Sequence, residues 1–250
     1  MQVMGSPGES RRGTAGKERA CKGFNTFGIS SSLKYSEIRL IIHTSGNGMF
    51  VFFGGETLKA LKQMILEQGR GIGSDIVKVD MFLNHRIDTK LLFAMGEAWA
   101  EEFRGEKPDL VLTVEASGIA MAVAAAHALG DIPVVFAKKS NTAVLTSETV
   151  QAGVYSFTHK TQNNIRIERR YLPEGSRVLI IDDFLADGQA VKGMMNLCEQ
   201  QKATVVGVGI AVEKGFQPGG KQLREAGIHI KSLAIVDRIE EGKIILRDDD

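Results

Sequence analysis

Two adjacent aspartates, Asp182 and Asp183, follow the apolar run Val178–Ile181, which predicts a buried strand. Like charges repel each other, so a strand end that carries two carboxylates indicates a ligand that uses them. A short loop containing Gly188 comes next, and an amphipathic pattern typical of a helix begins after it. Ionised carboxylates accept hydrogen bonds from hydroxyl groups, so these residue types favour a sugar-like ligand.

The loop after the aspartates is predicted to hold a phosphate. It consists of small or polar residues, Ala186, Asp187, Gly188, Gln189 and Ala190. Backbone N–H groups at a turn that opens a helix bind phosphate well, and glycine lets the backbone adopt the conformation required. Asp182 and Asp183 would then lie beside the 2′- and 3′-hydroxyls of an attached ribose. The alternative is a plain strand end followed by an aspartate that caps the helix.

Three other predicted strands also end in polar residues. Strand 110–114 ends in Glu115 to Gly118, strand 133–137 ends in Lys138 and Lys139, and strand 204–212 ends in Glu213 and Lys214. Ligands of open parallel sheets bind outside the carboxyl ends of the strands. We therefore expect these side chains to gather at one edge of the sheet.

The elements that must position these residues alternate between strand and helix. Strands are predicted at 76–79, 110–114, 133–137, 178–181, 204–212 and 232–236. Helices are predicted at 58–68, 88–103, 118–129, 188–201 and 221–226. The near-continuous apolar strands predict an α/β fold with a parallel sheet covered on both faces. The polar segment 138–164 is interpreted as a long mobile connection, with room for a hairpin, and its length is typical of a lid or of disorder.

Composition excludes several classes of protein. The 250 residues carry a net charge of +1, so nothing suggests a basic nucleic-acid surface or an acidic disordered chain. Apolar runs are too short for a membrane span. The two cysteines, Cys21 and Cys198, are far apart, which favours a reducing compartment and argues against a metal site.

The first 57 residues differ from the rest. They contain 10 of the 28 glycines and lack a helix or strand period, so they are predicted to be disordered. We hypothesise that they are a mis-annotated upstream reading, since Gly54-Gly55-Glu56 can be encoded by a ribosome-binding site and Leu58 by an alternative start codon. A genuine flexible tail is the alternative. The domain is expected to span residues 58–250.

Four segments together resemble a known family. They are "KVDMFLNHRID", "VYSFTHKT", "VLIIDDFLADGQA" and "VEKGFQPG". The third segment resembles the phosphoribosyl pyrophosphate (PRPP) motif of the type I phosphoribosyltransferases, and the four in order resemble bacterial xanthine phosphoribosyltransferases over about residues 58–246. The resemblance implies a central, mostly parallel sheet flanked by helices, with a small hood formed by N- and C-terminal segments.

The resemblance also implies a reaction and a set of roles. The reaction joins xanthine to the phosphoribosyl group of PRPP and releases diphosphate, with Mg²⁺ bound mainly through PRPP, in a cytoplasmic homodimer. Asp182 and Asp183 would be catalytic, residues 186–190 would bind the 5′-phosphate, and the turn at Ser117 would bind the diphosphate. The implied purine contacts are Val77, Asn84 and Lys214. The chain departs from the family pattern at Asp187, where Asn is common, and at Val77, where Leu is common.

Lys214 suits a 6-oxopurine on chemical grounds. An ammonium group donates to the O6 carbonyl, whereas a 6-amino group would place a donor against a donor. A solvated surface lysine is the alternative. Two other functions also stay open from the sequence, namely a PRPP-sensing transcription regulator and a hypoxanthine or guanine phosphoribosyltransferase.

Overall fold

The computed structural model describes residues 41–45, 48–52, 54–140, 148–156 and 161–248. Five α-helices lie in these ranges, and they are α1 Gly54–Gln68, α2 Thr89–Phe103, α3 Gly118–Ala128, α4 Gln189–Gln200 and α5 Gly219–Glu225. The strands of the same ranges are β1 Ile41–Ser45, β2 Gly48–Phe52, β3 Arg70–Ile72, β4 Ile76–Lys78, β5 Leu110–Val114, β6 Val134–Ser140, β7 Thr149–Ser156, β8 Thr161–Glu168, β9 Arg177–Leu185, β10 Thr204–Lys214, β11 Ile230–Glu240 and β12 Lys243–Leu246.

The central sheet has the strand order β12-β11-β10-β9-β5-β6-β8-β7. Its five middle strands, β11, β10, β9, β5 and β6, pair in parallel. The strands β12, β8 and β7 at the two edges pair antiparallel. The predicted mostly parallel sheet is therefore confirmed, and antiparallel hairpins extend it at both ends.

Two hydrophobic clusters cover the two faces of this sheet. In β9, Leu179 and Ile181 belong to the cluster that contains α2 and α3, whereas Val178 and Ile180 belong to the cluster that contains α4. Successive side chains of a strand point to opposite faces, so a continuous apolar run supplies both clusters. This arrangement explains why β9 shows no apolar–polar alternation in the sequence.

Helix α2 forms where its pattern predicts. The Asp88 carboxylate accepts a hydrogen bond from the Leu91 backbone N–H at 3.0 Å, which satisfies a donor that the helix itself leaves unpaired. Its apolar stripe includes Met95, Trp99 and Phe103, all with no exposed surface. Deleting one such large aromatic side chain costs about 3–5 kcal/mol in typical cores, so this helix anchors the scaffold.

A small hood lies beside the sheet. We define it as β3, β4 and the π-helical turn Asp80–Asn84 from the amino-terminal part, together with β12. The two parts meet where the Gly71 backbone N–H donates to the Gly242 carbonyl at 3.0 Å. The predicted hood from both ends of the domain is confirmed.

Two predicted elements have different limits in the structure. Strand β9 does not end at Ile181 but continues to Leu185, because β10 keeps pairing with it and places Ile210 opposite Asp182 and Val212 opposite Phe184. The paired aspartates are thus strand residues.

The segment 138–164, interpreted as a mobile connection, instead begins with the end of β6 and contains β7 and the start of β8. Val150, Ala152 and Ile165 in these strands are buried, and α4 packs on β7, so apolar contacts order the hairpin. Residues 141–147 and 157–160 lie outside the described ranges. The predicted room for a hairpin is confirmed.

The amino-terminal segment falls largely outside the described residues. Residues 1–40 are outside them, whereas β1 and β2 pair as an antiparallel hairpin, and α1 begins at Gly54 rather than at residue 58. Among the described helices, none is both long and apolar enough to cross a membrane.

Candidate active site

A cavity of about 560 Å³ opens at the carboxyl ends of β5, β9 and β10. Its walls include Asp182, Asp183 and the loop of residues 186–190, with Ser117 and Lys214 from the neighbouring strand ends. A volume of this size holds a small-molecule ligand. The expectation that the polar strand ends gather at one edge is confirmed.

The paired aspartates are buried but hydrogen-bonded. Asp182 is 4% exposed, and one of its carboxylate oxygens accepts the Asp183 backbone N–H at 3.0 Å. Asp183 accepts the Phe184 backbone N–H at 3.1 Å through Oδ1 and the Asn84 side-chain Nδ2 at 2.9 Å through Oδ2. The hood therefore contacts β9 directly through Asn84.

Negative charge is costly at Asp182. Burial, and secondly the neighbouring charge of Asp183, raise the pKa of Asp182 well above its usual range. A ligand that brings hydroxyl donors or positive charge to this edge relieves that cost. The two carboxylates thus suit a sugar that becomes electron-deficient.

The loop of residues 186–190 is a tight turn that lines the cavity. Gly188 has a φ of 82°, in the left-handed region that favours glycine. Asp187 turns its Oδ1 atom onto the Gln189 backbone N–H at 3.2 Å. Helix α4 then begins at Gln189, so its amino-terminal dipole points toward the loop. These features fit a bound phosphate.

Helix α5 supports this loop from behind. The Gly219 backbone N–H donates to the Ala186 carbonyl at 3.0 Å. A Cβ atom on Gly219 would lie 2.6 Å from both the Asp187 carbonyl carbon and the Gly188 nitrogen, which is too close for any side chain. The approach of α5 to the loop is therefore a backbone-to-backbone contact.

Lys214 reaches across the cavity from the end of β10. Its Nζ atom donates to the Asp75 carbonyl of the hood at 2.7 Å and lies 5.9 Å from the centre of the Phe184 ring. Burial lowers the pKa of Lys214, while the carboxylates of Asp75 and Asp187 act in the opposite direction. The ammonium group has three donors, so donors remain for a ligand after the bond to Asp75.

The turn after β5 completes the cavity. Ser117 lines it, and the Glu115 carboxylate accepts the Lys139 backbone N–H at 2.6 Å. The peptide bond between Glu115 and Ala116 is cis. A Cβ on Gly118 would overlap the Thr113 hydroxyl, so α3 begins directly against β5. This packing leaves the turn backbone at the cavity edge.

The structure brings most of the predicted site residues together. Asp182, Asp183, Ser117, Lys214 and residues 186–190 surround the one cavity, and Asn84 contacts Asp183. Val77 is different, because its side chain is 7% exposed within the hydrophobic core, whereas its neighbour Ile76 lines the cavity.

Phe184 and Ile76 are among the apolar groups of the cavity that sequence reasoning missed. The alternation of side chains along a strand was the available signal for Ile76, since it lies on the face opposite to Val77. Phe184 follows the paired acids, and it was hidden by the expectation that β9 had already ended.

Asp182 and Asp183 offer carboxylates at the cavity as metal ligands. No group of three or more histidine, cysteine or acidic side chains that could hold a metal occurs within the described ranges. Asp182 and Asp183 provide carboxylate oxygens, which are the ligands that Mg²⁺ prefers, but not a complete cage. These residues fit a Mg²⁺ ion that arrives with a phosphorylated substrate.

This fold and site define an α/β protein whose cavity at the carboxyl edge of the sheet has the features that suit a phosphorylated sugar. Residues 85–225 match the family described as phosphoribosyl transferase domain. The chain belongs to this phosphoribosyltransferase family.

Relatives with established names agree with this assignment. The chain is 49% identical over 192 residues to the xanthine phosphoribosyltransferase of Bifidobacterium adolescentis, which covers 76% of this chain and 100% of the relative. It is 46% identical to the xanthine phosphoribosyltransferase of Oceanobacillus iheyensis, and the match covers 77% of this chain and 98% of the relative. The fold is similar to a solved adenine phosphoribosyltransferase of Rhodothermus marinus, with a TM-score of 0.58 and 23% identity over 73% of this chain and 99% of that one.

Proposed function

We propose that this protein is a xanthine phosphoribosyltransferase that transfers the 5-phosphoribosyl group of PRPP to xanthine, giving xanthosine 5′-monophosphate and diphosphate. The observation that carries the proposal is the single cavity in which a phosphate-type loop faces a half-buried lysine. The names of relatives that are 44–49% identical support the choice of base.

The chain would hold PRPP through three groups of atoms. The backbone N–H groups of residues 186–190 bind the 5′-phosphate, and the contact at position 187 comes from the backbone because the Asp187 side chain already accepts from Gln189. Asp182 and Asp183 accept the ribose hydroxyls. The turn at Ser117 binds the diphosphate through N–H groups and the hydroxyl.

The reaction breaks the bond between C1′ of the ribose and the diphosphate oxygen. A purine ring nitrogen forms the new bond to C1′, and the ring N–H proton is released to solvent. Positive charge develops on the ribose, and the two carboxylates stabilise it electrostatically because they are already fixed in place. The electron pair of the broken bond leaves with diphosphate. Bound Mg²⁺ would neutralise charge on that leaving group.

The purine would lie between β10 and the hood. Lys214 donates to O6 and stabilises the negative charge of the attacking ring. Phe184 and Ile76 offer apolar surface for the ring faces, and Asn84 stands at the hood side beside Asp183. The assignment of Val77 as a purine contact stays a prediction.

The remaining assignments are part of the proposal. We propose a cytoplasmic homodimer whose catalytic domain spans residues 58–250. Relatives of which 98–100% is matched cover only 75–77% of this chain, which supports a domain of about this size. A chain reduced to residues 58–250 is expected to keep its kcat/KM; loss of turnover on truncation would argue that the first 57 residues belong to the enzyme.

The test is a direct assay with each base. Purified protein, PRPP and Mg²⁺ are incubated with xanthine, hypoxanthine, guanine or adenine, and the nucleotide is followed by absorbance. The proposal expects the highest kcat/KM for xanthine and the lowest for adenine. A higher kcat/KM for guanine or hypoxanthine would mean that this base, and not xanthine, is the substrate. PRPP binding without turnover of any base would favour a regulator.

A further inference from the structure

Glu213 is a buried carboxylate that the proposed mechanism does not use. It is 3% exposed and immediately precedes Lys214 in β10. Arg224 of α5 donates to both of its oxygens, Nη1 to Oε1 at 2.7 Å and Nη2 to Oε2 at 2.6 Å, and the Ser232 hydroxyl donates to Oε2 at 2.5 Å. A bidentate pair of this kind fixes both distance and orientation.

Helix α5 connects this pair to the phosphate loop. At one end of α5, Gly219 donates to the Ala186 carbonyl and leaves no room for a side chain against Gly188. Leu223, next to Arg224, would lie 3.4 Å from a Cβ on Gly188. Gln222 accepts from the Lys192 ammonium of α4 at 2.9 Å. Two hydrogen bonds and two close approaches thus run from one short helix to the loop and the helix that follows it.

A helix of seven residues has little stability of its own. Its position therefore depends on its tertiary contacts, and among these Arg224 provides the charged contact to the sheet. Burial acts to raise the pKa of Glu213, but the hydrogen bonds from Arg224 and Ser232 outweigh it and lower that pKa. The carboxylate stays ionised and the pair stays closed at neutral pH.

We infer that the Glu213–Arg224 pair is a positioning device that holds α5 against residues 186–190 and so sets the shape of the phosphate loop. The inference rests on the proposed function. It adds two residues that touch no substrate and links the strand that carries Lys214 to the loop that holds the ribose phosphate.

The device acts on one substrate more than on the other. Lys214 is held independently by its hydrogen bond to Asp75 and by the ladder of β10 with β9 and β11. The loop of residues 186–190 has no strand pairing of this kind and is supported by its contacts with α5. Loosening α5 should therefore weaken PRPP binding while leaving purine binding nearly unchanged.

The first experiment compares Arg224→Met with Arg224→Lys. The methionine variant is expected to raise KM for PRPP by about tenfold or more, since small misplacements in a site are costly, with KM for xanthine changed less than about twofold. Lysine keeps the charge but loses the parallel donors, so it should restore part of the affinity for PRPP. Lys221→Met is the matched control, because Lys221 lies on the same helix with its side chain 79% exposed.

A second variant guards against misfolding. Arg224→Met leaves the Glu213 charge buried without its partner, whereas Glu213→Gln/Arg224→Met removes both charges. Thermal melts and circular dichroism check that each variant folds. Titration with PRPP alone, monitored by thermal shift, measures the binding of PRPP without turnover.

The outcomes are separable. Wild-type protein that forms no nucleotide would refute the proposed function. Active wild-type protein together with folded variants whose KM values for both substrates rise equally, or whose affinity for PRPP is unchanged, would overturn the positioning role. A selective loss of PRPP affinity, partly rescued by lysine, supports it.

Discussion

Replacing Lys214 by methionine tests how the base is recognised. Methionine keeps an unbranched apolar stem but removes the ammonium group, so the lining of the cavity changes little in volume. The bond to the Asp75 carbonyl is lost, and so are the donors that would face O6 of the purine. The loss of the donors that face O6 should weaken the reaction only of bases that carry an acceptor at position 6.

The size of the effect follows from the type of bond. A hydrogen bond to a charged group contributes about 1.5–3 kcal/mol. Each 1.4 kcal/mol corresponds to about a factor of ten, so kcat/KM for xanthine should fall by about 10- to 150-fold. The half-buried position of Lys214, beside Phe184, favours the upper part of this range because water replaces the lost bond poorly.

The assay measures kcat/KM for xanthine and adenine with saturating PRPP. Lys214→Met should lower the value for xanthine and leave or raise that for adenine, so the preference between them shrinks. Lys231→Met is the control, because Lys231 is another strand lysine with an ion pair, to Glu102 at 3.3 Å, away from the cavity. Equal losses for both bases, or none for xanthine, would refute base recognition by Lys214.

Three further predictions concern the charges of the cavity. Asp187→Asn keeps an acceptor for the Gln189 N–H but removes a negative charge beside the phosphate, so KM for PRPP should fall by about fivefold, the effect of about 1 kcal/mol; an unchanged or higher KM in steady-state kinetics would contradict this. Because the folded-state pKa of Asp182 is raised, its negative charge opposes folding at pH values above the unfolded-state pKa. Asp182→Asn should therefore raise the Tm at pH 7 more than at pH 4, by about 2–4 °C for each kcal/mol of stability gained. The same variant should lower kcat at least about tenfold. Equal melting curves at pH 7 would count against buried charge at this position. Because the pKa of Lys214 is lowered, its ammonium charge is lost as pH rises through that lowered value. The neutral amine no longer stabilises negative charge on the ring, so kcat/KM for xanthine should decline more steeply at alkaline pH in the wild type than in Lys214→Met. Matching pH profiles of the two proteins would speak against this role.

Much of the scaffold could be predicted because it follows from local patterns. The Asp88 cap, the apolar stripe of α2 and the buried run of β9 each depend on a few neighbouring residues. The cluster at the carboxyl edge also followed, since parallel strands place their ends together. These features need no knowledge of distant contacts.

Other features depend on partners far away in the chain. The continuation of β9 to Leu185 is set by pairing with β10, and the order of the hairpin β7–β8 is set by its packing on α4. The role of Gly219 is visible only once α5 is seen against the loop of residues 186–190. The paired aspartates led to the prediction of a ribose site, which stays a prediction, but the Asn84 bond that orients Asp183 spans 99 residues and could not be read from either segment.

The cavity is lined by a main-chain loop on one side and by side chains on the other, and this difference has a consequence for redesign. In the proposed function, main-chain atoms of the β9–α4 connection bind the phosphate, and the main chain at Gly219 contacts that connection from behind. The side proposed to bind the nucleobase is instead lined by side chains, among them Lys214, Phe184 and Ile76. If these assignments hold, the side chains at the base side can be exchanged for a different base without altering the main-chain loop proposed to bind the phosphate, provided that the Asn84 bond to Asp183 is kept.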